Sequence, residues 1–95
     1  MADVTNDWKP TLVRRARLRW DHVEERFVLL LPEAALVLRG PAADIIQLCD
    51  GTRTVSAMVD EVATKYTESA REQIEADMRD FLERFRAKGL LESEP

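Results

Sequence analysis

The stretch Arg26-Phe27-Val28-Leu29-Leu30-Leu31-Pro32-Glu33-Ala34-Ala35-Leu36-Val37-Leu38-Arg39-Gly40-Pro41 decides the fold. Arg26 to Leu31 is rich in strand formers and stops at Pro32, whose missing N–H cannot serve a ladder. After Pro32-Glu33, the run Ala34 to Arg39 is apolar on both faces. It ends at Gly40-Pro41, where proline also restricts the residue before it. Two strands are predicted here, and the residues preceding them supply a third. Ala16, Leu18 and Trp20 alternate with Arg15, Arg17 and Arg19, as a half-buried strand requires. Between them, Asp21-His22-Val23-Glu24-Glu25 is polar enough to turn the chain into a hairpin.

C-terminal to Gly40 the period changes from two to about 3.6. Pro41 suits the first position of a helix, where its missing N–H costs nothing, and Ala42, Ile45, Ile46 and Cys49 recur at helical spacing until Gly51 offers a left-handed cap. Thr54 can cap a second helix with the apolar stripe Val55, Met58, Val59, Val62, Ala63 and Tyr66. Ser69 and Glu72 form a Ser-x-x-Glu capping box for a third, along which Ile74, Met78, Phe81, Leu82 and Phe85 continue one face until Gly89. The predicted class is α+β, three antiparallel strands followed by three helices, an order also compatible with a winged helix-turn-helix.

Ninety-five residues, 45% hydrophobic and 34% charged, fit one small domain with a compact core and leave no room for a second. Residues 1–11 hold few apolar groups and are expected to be a flexible N-terminal tail until something docks Trp8. Residues 12–91 form the expected domain, and 92–95 a C-terminal tail. The acidic start resembles no signal peptide, and the longest apolar run, Phe27 to Leu31, is far too short to span a bilayer. A lone cysteine forbids an intramolecular disulfide and fits a reducing compartment, so the cytoplasm is expected.

The net charge of −4 is unevenly placed. Residues 1–40 carry seven basic and six acidic groups, whereas residues 41–95 carry seven basic and twelve acidic ones. On the third helix, Arg71, Glu72, Glu75, Arg79, Asp80, Glu83 and Arg86 mix both signs, so acids would stand among phosphates if that helix read DNA. A winged-helix DNA-binding regulator is therefore the weaker alternative, and a purely structural subunit a third. The arginines at 14, 15, 17 and 19 read most simply as a solvated strand face, and otherwise as a site for an acidic partner.

Catalytic chemistry has little to stand on. The single histidine, His22, sits in a turn, and the single cysteine, Cys49, lies on an apolar stripe beside Asp50, which would raise its pKa. Gly40, Gly51 and Gly89 are too far apart to build a phosphate loop. Asp60 with Glu61, and Asp77 with Asp80, read as solvated helix faces. No catalytic residue, metal site or cofactor is expected. The third strand offers more. If it lies at the edge of the sheet, its unpaired N–H and C=O groups are open to another chain, and Leu36, Val37 and Leu38 carry none of the usual blocks. A bordering helix would turn that edge into a groove for an extended peptide. The alternative is that both faces of the strand are simply buried.

Leu29-Leu30-Leu31-Pro32-Glu33, Leu38 and Ile45-Ile46-Gln47-Leu48-Cys49-Asp50-Gly51-Thr52-Arg53-Thr54-Val55 together resemble the PqqD family. Ile74-Glu75-Ala76-Asp77-Met78, Phe81-Leu82 and Gly89-Leu90-Leu91 extend the resemblance, which runs from about Pro10 to Leu91. It implies a winged helix-turn-helix module, a recognition element for ribosomally made peptides, acting as a peptide chaperone in pyrroloquinoline quinone biosynthesis. Members bind the leader region of a precursor peptide and present it to a radical S-adenosylmethionine enzyme, which joins a Glu and a Tyr of that peptide. The family adds the peptide as a strand beside the third strand and packs it against the third helix. This implies Ala35, Leu36, Val37, Leu38 and Arg39 as the receiving strand, and Ile74, Asp77, Met78, Phe81 and Arg84 as the opposite wall. Arg15, Arg17 and Arg19 are the candidates for docking the enzyme. Neither nucleic acid nor membrane is an expected partner, and the open edge is compatible with a monomer or a weak homodimer. Two features depart from or widen this pattern: Arg39-Gly40-Pro41 enters the first helix where a polar cap is usual, and related modules serve other peptide-modifying pathways.

Overall fold

The computed structural model describes residues 4–92. Three strands, β1 (Arg17–Asp21), β2 (Arg26–Leu30) and β3 (Ala35–Leu38), precede three helices, α1 (Ala42–Gln47), α2 (Val55–Lys65) and α3 (Arg71–Ala87). The strands form one antiparallel sheet in the order β1-β2-β3, so β3 is an edge. The architecture is the α+β arrangement expected from the change of period at Gly40. Register places Trp20 opposite Phe27, Leu29 opposite Leu36, and Phe27 opposite Leu38. Leu18, Phe27, Leu29, Leu36 and Leu38 therefore share the core face. Trp20 departs from its predicted place in the core. It is 39% exposed and overhangs the end of the sheet, with its ring edge-on to Phe27 at 4.9 Å.

Two buried clusters hold the layers together. One joins α1, α2 and α3 through Ile45, Val59, Val62, Ile74, Met78 and Leu82. The other lies under the sheet and includes Leu29, Leu38, Ala43, Ile46 and Leu90. Phe81 and Phe85, stacked at 4.2 Å, pack against both and thereby tie α3 to the sheet. The predicted stripe of α2 is realised, and Thr54 caps that helix by accepting the Ala57 N–H at 3.1 Å.

The helix boundaries differ from expectation at two places. The third helix starts from Ala70, which has no side-chain cap, rather than from the Ser69 and Glu72 box. Ser69 N–H is engaged by the Tyr66 carbonyl at 3.2 Å, and the Ala70 carbonyl receives the N–H groups of Gln73 and Ile74. The first helix ends at Leu48, three residues before Gly51. Gly51, at φ +82°, serves another purpose: a Cβ there would lie 2.6 Å from Thr11 Oγ1. Its missing side chain lets the N-terminal segment pass.

That segment is not the flexible tail predicted for residues 1–11; its first three residues lie outside the described ones, as do 93–95 of the predicted C-terminal tail. Trp8 is only 2% exposed, Val4 and Pro10 are buried, and the Arg86 guanidinium lies 5.1 Å from the Trp8 ring centre. Leu12 N–H donates to the Cys49 carbonyl, Gly51 N–H to Pro10, Val55 N–H to Trp8 and Ser56 N–H to Asn6. Arg79 donates to the Val4 carbonyl and to Asn6 Oδ1. A few large apolar groups, spaced to reach α2 and α3, suffice to hold a polar segment as a strap, because each ring or branched chain hides enough surface to offset its ordering.

Candidate functional site

The hairpin joining β2 and β3 sets which backbone groups of the edge are free. Leu31 N–H donates to the Ala34 carbonyl at 2.8 Å and Ala34 N–H returns to the Leu31 carbonyl at 3.4 Å. Antiparallel pairs alternate between bonded and non-bonded. With the observed register, Leu29 with Leu36 and Phe27 with Leu38 are then the bonded pairs. The N–H and C=O groups of Ala35 and Val37 consequently point away from β2, toward the open edge. Arg39 lies past the strand, and its carbonyl accepts the Ala42 N–H at 3.1 Å as the chain enters α1. Of the five predicted receiving residues, Ala35 and Val37 thus offer backbone, whereas Leu36 and Leu38 offer apolar side chains on the core face and Arg39 an exposed charge.

Helix α3 meets the sheet through Phe81 and Phe85. Phe81 is half-buried and belongs to the same apolar cluster as Leu36 and Leu38, so strand and helix share one floor. A cavity of about 230 Å³ lies where α1, the end of α2 and α3 meet, lined by Pro41, Ile45, Tyr66, Ser69, Ile74 and Asp77, among others. Met78 also borders it and, like Ile74, belongs to the buried core beneath. Asp77 is exposed and accepts a hydrogen bond from Gln73 Nε2 at 2.9 Å. Arg84 is exposed and pairs with Asp80 at 3.2 Å, a weak link on a solvated face that a ligand carboxylate can replace.

Pro41, Ile45, Tyr66 and Ser69 were not foreseen at this site. Tyr66 carried the only hint, a phenol closing an otherwise aliphatic stripe. Its hydroxyl donates to Asp44 Oδ2 at 2.5 Å, and Lys65 Nζ lies 2.7 Å from Asp44 Oδ1. Burial pushes the Asp44 pKa up, but the hydrogen bonds from Lys65 and Tyr66 outweigh it and hold this carboxyl below the usual range. The same bond pushes the Tyr66 phenol up to about 12.

The remaining candidates lie elsewhere. Arg17 and Arg19 are exposed on β1, whereas Arg15 is set apart by donating to the Gly89 carbonyl at 3.1 Å. His22 is exposed in the β1–β2 turn. Cys49 is buried, its thiol donates to the Ile45 carbonyl at 3.2 Å, and burial with the adjacent Asp50 pushes its pKa up to about 12. Such a thiol is held protonated and is a poor nucleophile. Among the described residues no three His, Cys, Asp or Glu side chains are grouped to hold a metal ion, and no helix is long and apolar enough to cross a membrane. Three of the four arginines of α3 are turned to neighbouring acids, Arg71 to Asp60, Arg79 to Glu75 and Arg84 to Asp80, and the fourth, Arg86, lies over the Trp8 ring, which leaves this helix ill suited to phosphates.

The family model described as coenzyme PQQ synthesis protein D matches residues 26–91. A protein of Rhodopseudomonas palustris strain BisB5 named PqqA binding protein is 45% identical over 83 residues, covering 87% of this chain and 80% of that protein. A protein of the same name from Xanthomonas oryzae pv. oryzae is 33% identical over 91 residues, covering 96% of this chain and 98% of its own length. The solution structure of the PqqD truncation of Methylobacterium extorquens PqqCD, described as a functional, stand-alone recognition element for ribosomally synthesised and post-translationally modified peptides, superposes with a TM-score of 0.72. It is 36% identical and covers 87% of each chain. On this sequence and structural agreement, the chain belongs to the PqqD family.

Proposed function

We propose that this chain is a non-catalytic peptide chaperone of pyrroloquinoline quinone biosynthesis. It binds the ribosomally made precursor peptide by strand addition and presents it to a radical S-adenosylmethionine enzyme in the cytoplasm. The observation that carries this reading is the pair of outward-facing backbone units, Ala35 and Val37, set beside the Phe81 wall of α3. An incoming strand would bond to those units and alternate its side chains between the apolar floor and solvent. The names borne by the relatives and the description of the solved structure support the same reading.

Each wall residue then has its own part. Ile74 and Phe81 take apolar side chains of the peptide, while Asp77, Arg84 and Arg39 bracket the groove with charge. The test is titration of isotope-labelled protein with the precursor peptide. The amides of Ala35 and Val37 and those of α3 around Ile74 to Arg84 should shift most, and affinity should change little with salt. A steep loss of binding with salt, or shifts confined to other surfaces, would refute the reading.

A further inference from the structure

Among the described residues the large hydrophobics most exposed to solvent are Trp20 at 39%, Val23 at 86% and Val37 at 37%, and all three belong to the sheet or its hairpin turn. The solvent face of that sheet is unusual in a second way. Val28 and Leu30 alternate away from the core, join neither buried cluster, and with Arg19, Trp20, Asp21, His22 and Val23 line a shallow cleft of about 400 Å³. Register sets Arg17 beside Leu30 and Arg19 beside Val28, so the apolar stripe is rimmed by guanidinium groups.

Those charges are uncompensated. Arg53, Arg71, Arg79 and Arg84 each pair with a carboxylate of their own neighbourhood, whereas Arg17 and Arg19 have no ion pair among the described residues. Arg26, on the same face, has an Nε left without a hydrogen-bond partner. The nearest acid, Asp21, turns its Oδ1 to the backbone N–H groups of Val23 and Glu24. Glu24 and Glu25 lie beyond it at the hairpin tip. An apolar stripe with unmatched positive charge is complementary to an apolar patch flanked by carboxylates.

We propose that this solvent face docks a carboxylate-rimmed apolar patch of the peptide-modifying enzyme, and that the bound peptide becomes part of the docking surface. The second half follows from strand addition and rests on the chaperone reading. A strand added to β3 lies about 4.8 Å beyond it, and every second peptide side chain stands beside Ala35 and Val37 on this same face. The enzyme then touches chaperone and peptide at once. Each ligand should tighten the other by the same factor, as linkage requires.

The test measures association of the radical S-adenosylmethionine enzyme with the intact chain, with and without saturating precursor peptide. R17E/R19E should slow association about tenfold and flatten its salt dependence. L30E should weaken the complex about tenfold, and V23E, in the exposed turn, makes the same test without touching the sheet. Precursor affinity should stay within about twofold of the parent in all three, because none of these residues borders the groove. Unchanged enzyme binding in the folded variants overturns the proposal, as does competition between peptide and enzyme. Self-association of the parent that these variants dissolve would assign the face to a second copy of the chain instead. A parent that fails to bind the precursor refutes the chaperone reading itself, which is a different result from intact peptide binding with indifferent enzyme binding.

Discussion

Proline substitution along β3 separates the two faces of the edge. In Val37→Pro the lost N–H points outward, and Val37 sits in a non-bonded pair with Val28, so the internal ladder keeps all its bonds. The side chain removed is already 37% exposed, and little core packing goes with it. Peptide binding loses one backbone bond, net about 0.5–1.5 kcal/mol, or roughly two- to thirteenfold in Kd, and the ring adds steric crowding. In Leu36→Pro the lost N–H is the one bonded to Leu29, and a core-facing leucine disappears as well, so about 3 kcal/mol or more of stability is lost. Circular dichroism through a thermal melt, followed by calorimetric titration with precursor peptide, reads both effects. Val37→Pro should fold and bind poorly, whereas Leu36→Pro should melt early or fail to fold. A Val37→Pro variant that folds and binds like the parent would sink strand addition at β3. The reverse stability order would show that the hydrogen-bonding parity assigned here is inverted.

Four further outcomes are expected. Arg84→Glu should leave the melting temperature nearly unchanged, since its pair with Asp80 is exposed, yet shift precursor affinity; Phe81→Ala should reduce both, because that ring packs against two buried clusters. Cys49, whose thiol is pushed up to about 12, should resist a thiol reagent at about pH 8 in the native protein and react once unfolded, and His22→Ala should leave peptide affinity within about threefold. Asp44 has a lowered pKa and Tyr66 a raised one, so their bond stabilises the fold between them. Stability from Asp44 is present above its unfolded value of 3.8 and lost as pH falls through its folded value, whereas that from Tyr66 is present below 10.0 and lost as pH rises through about 12. Denaturant melts across pH should show both limbs, and Tyr66→Phe should remove the alkaline one. Trp8→Ala should destabilise by about 3–5 kcal/mol, and iodide should quench Trp20 fluorescence well before that of Trp8.

The strands and helices were legible because their signals are local. Alternation from Ala16, the stop at Pro32, and the stripes from Val55 and Ile74 each report one face of one element, and burial of that face follows from the chain's own period. Thr54 was legible as a cap for the same reason. The residues misread are those whose role depends on a distant segment. Trp8 looked like part of a tail because nothing near it in sequence is apolar enough to bury it, whereas α2 and α3 supply its pocket. Gly51 looked like a helix cap, and its lack of a side chain instead admits Thr11, forty positions away.

The candidate site divides along the same line. That β3 could be an unblocked edge was visible in Leu36, Val37 and Leu38. Which of its amides face outward was not, because parity is set by the bonding of Leu31 with Ala34 together with the β2–β3 register. The enclosing residues Ile45, Tyr66 and Ile74 come from α1, the end of α2 and α3, and only their packing makes one cavity. Sequence periodicity determines how each segment divides into buried and exposed faces, since that depends on dihedral geometry within a few residues. Tertiary structure decides which faces meet, because that depends on the volumes and hydrogen-bonding demands of groups brought together from far along the chain.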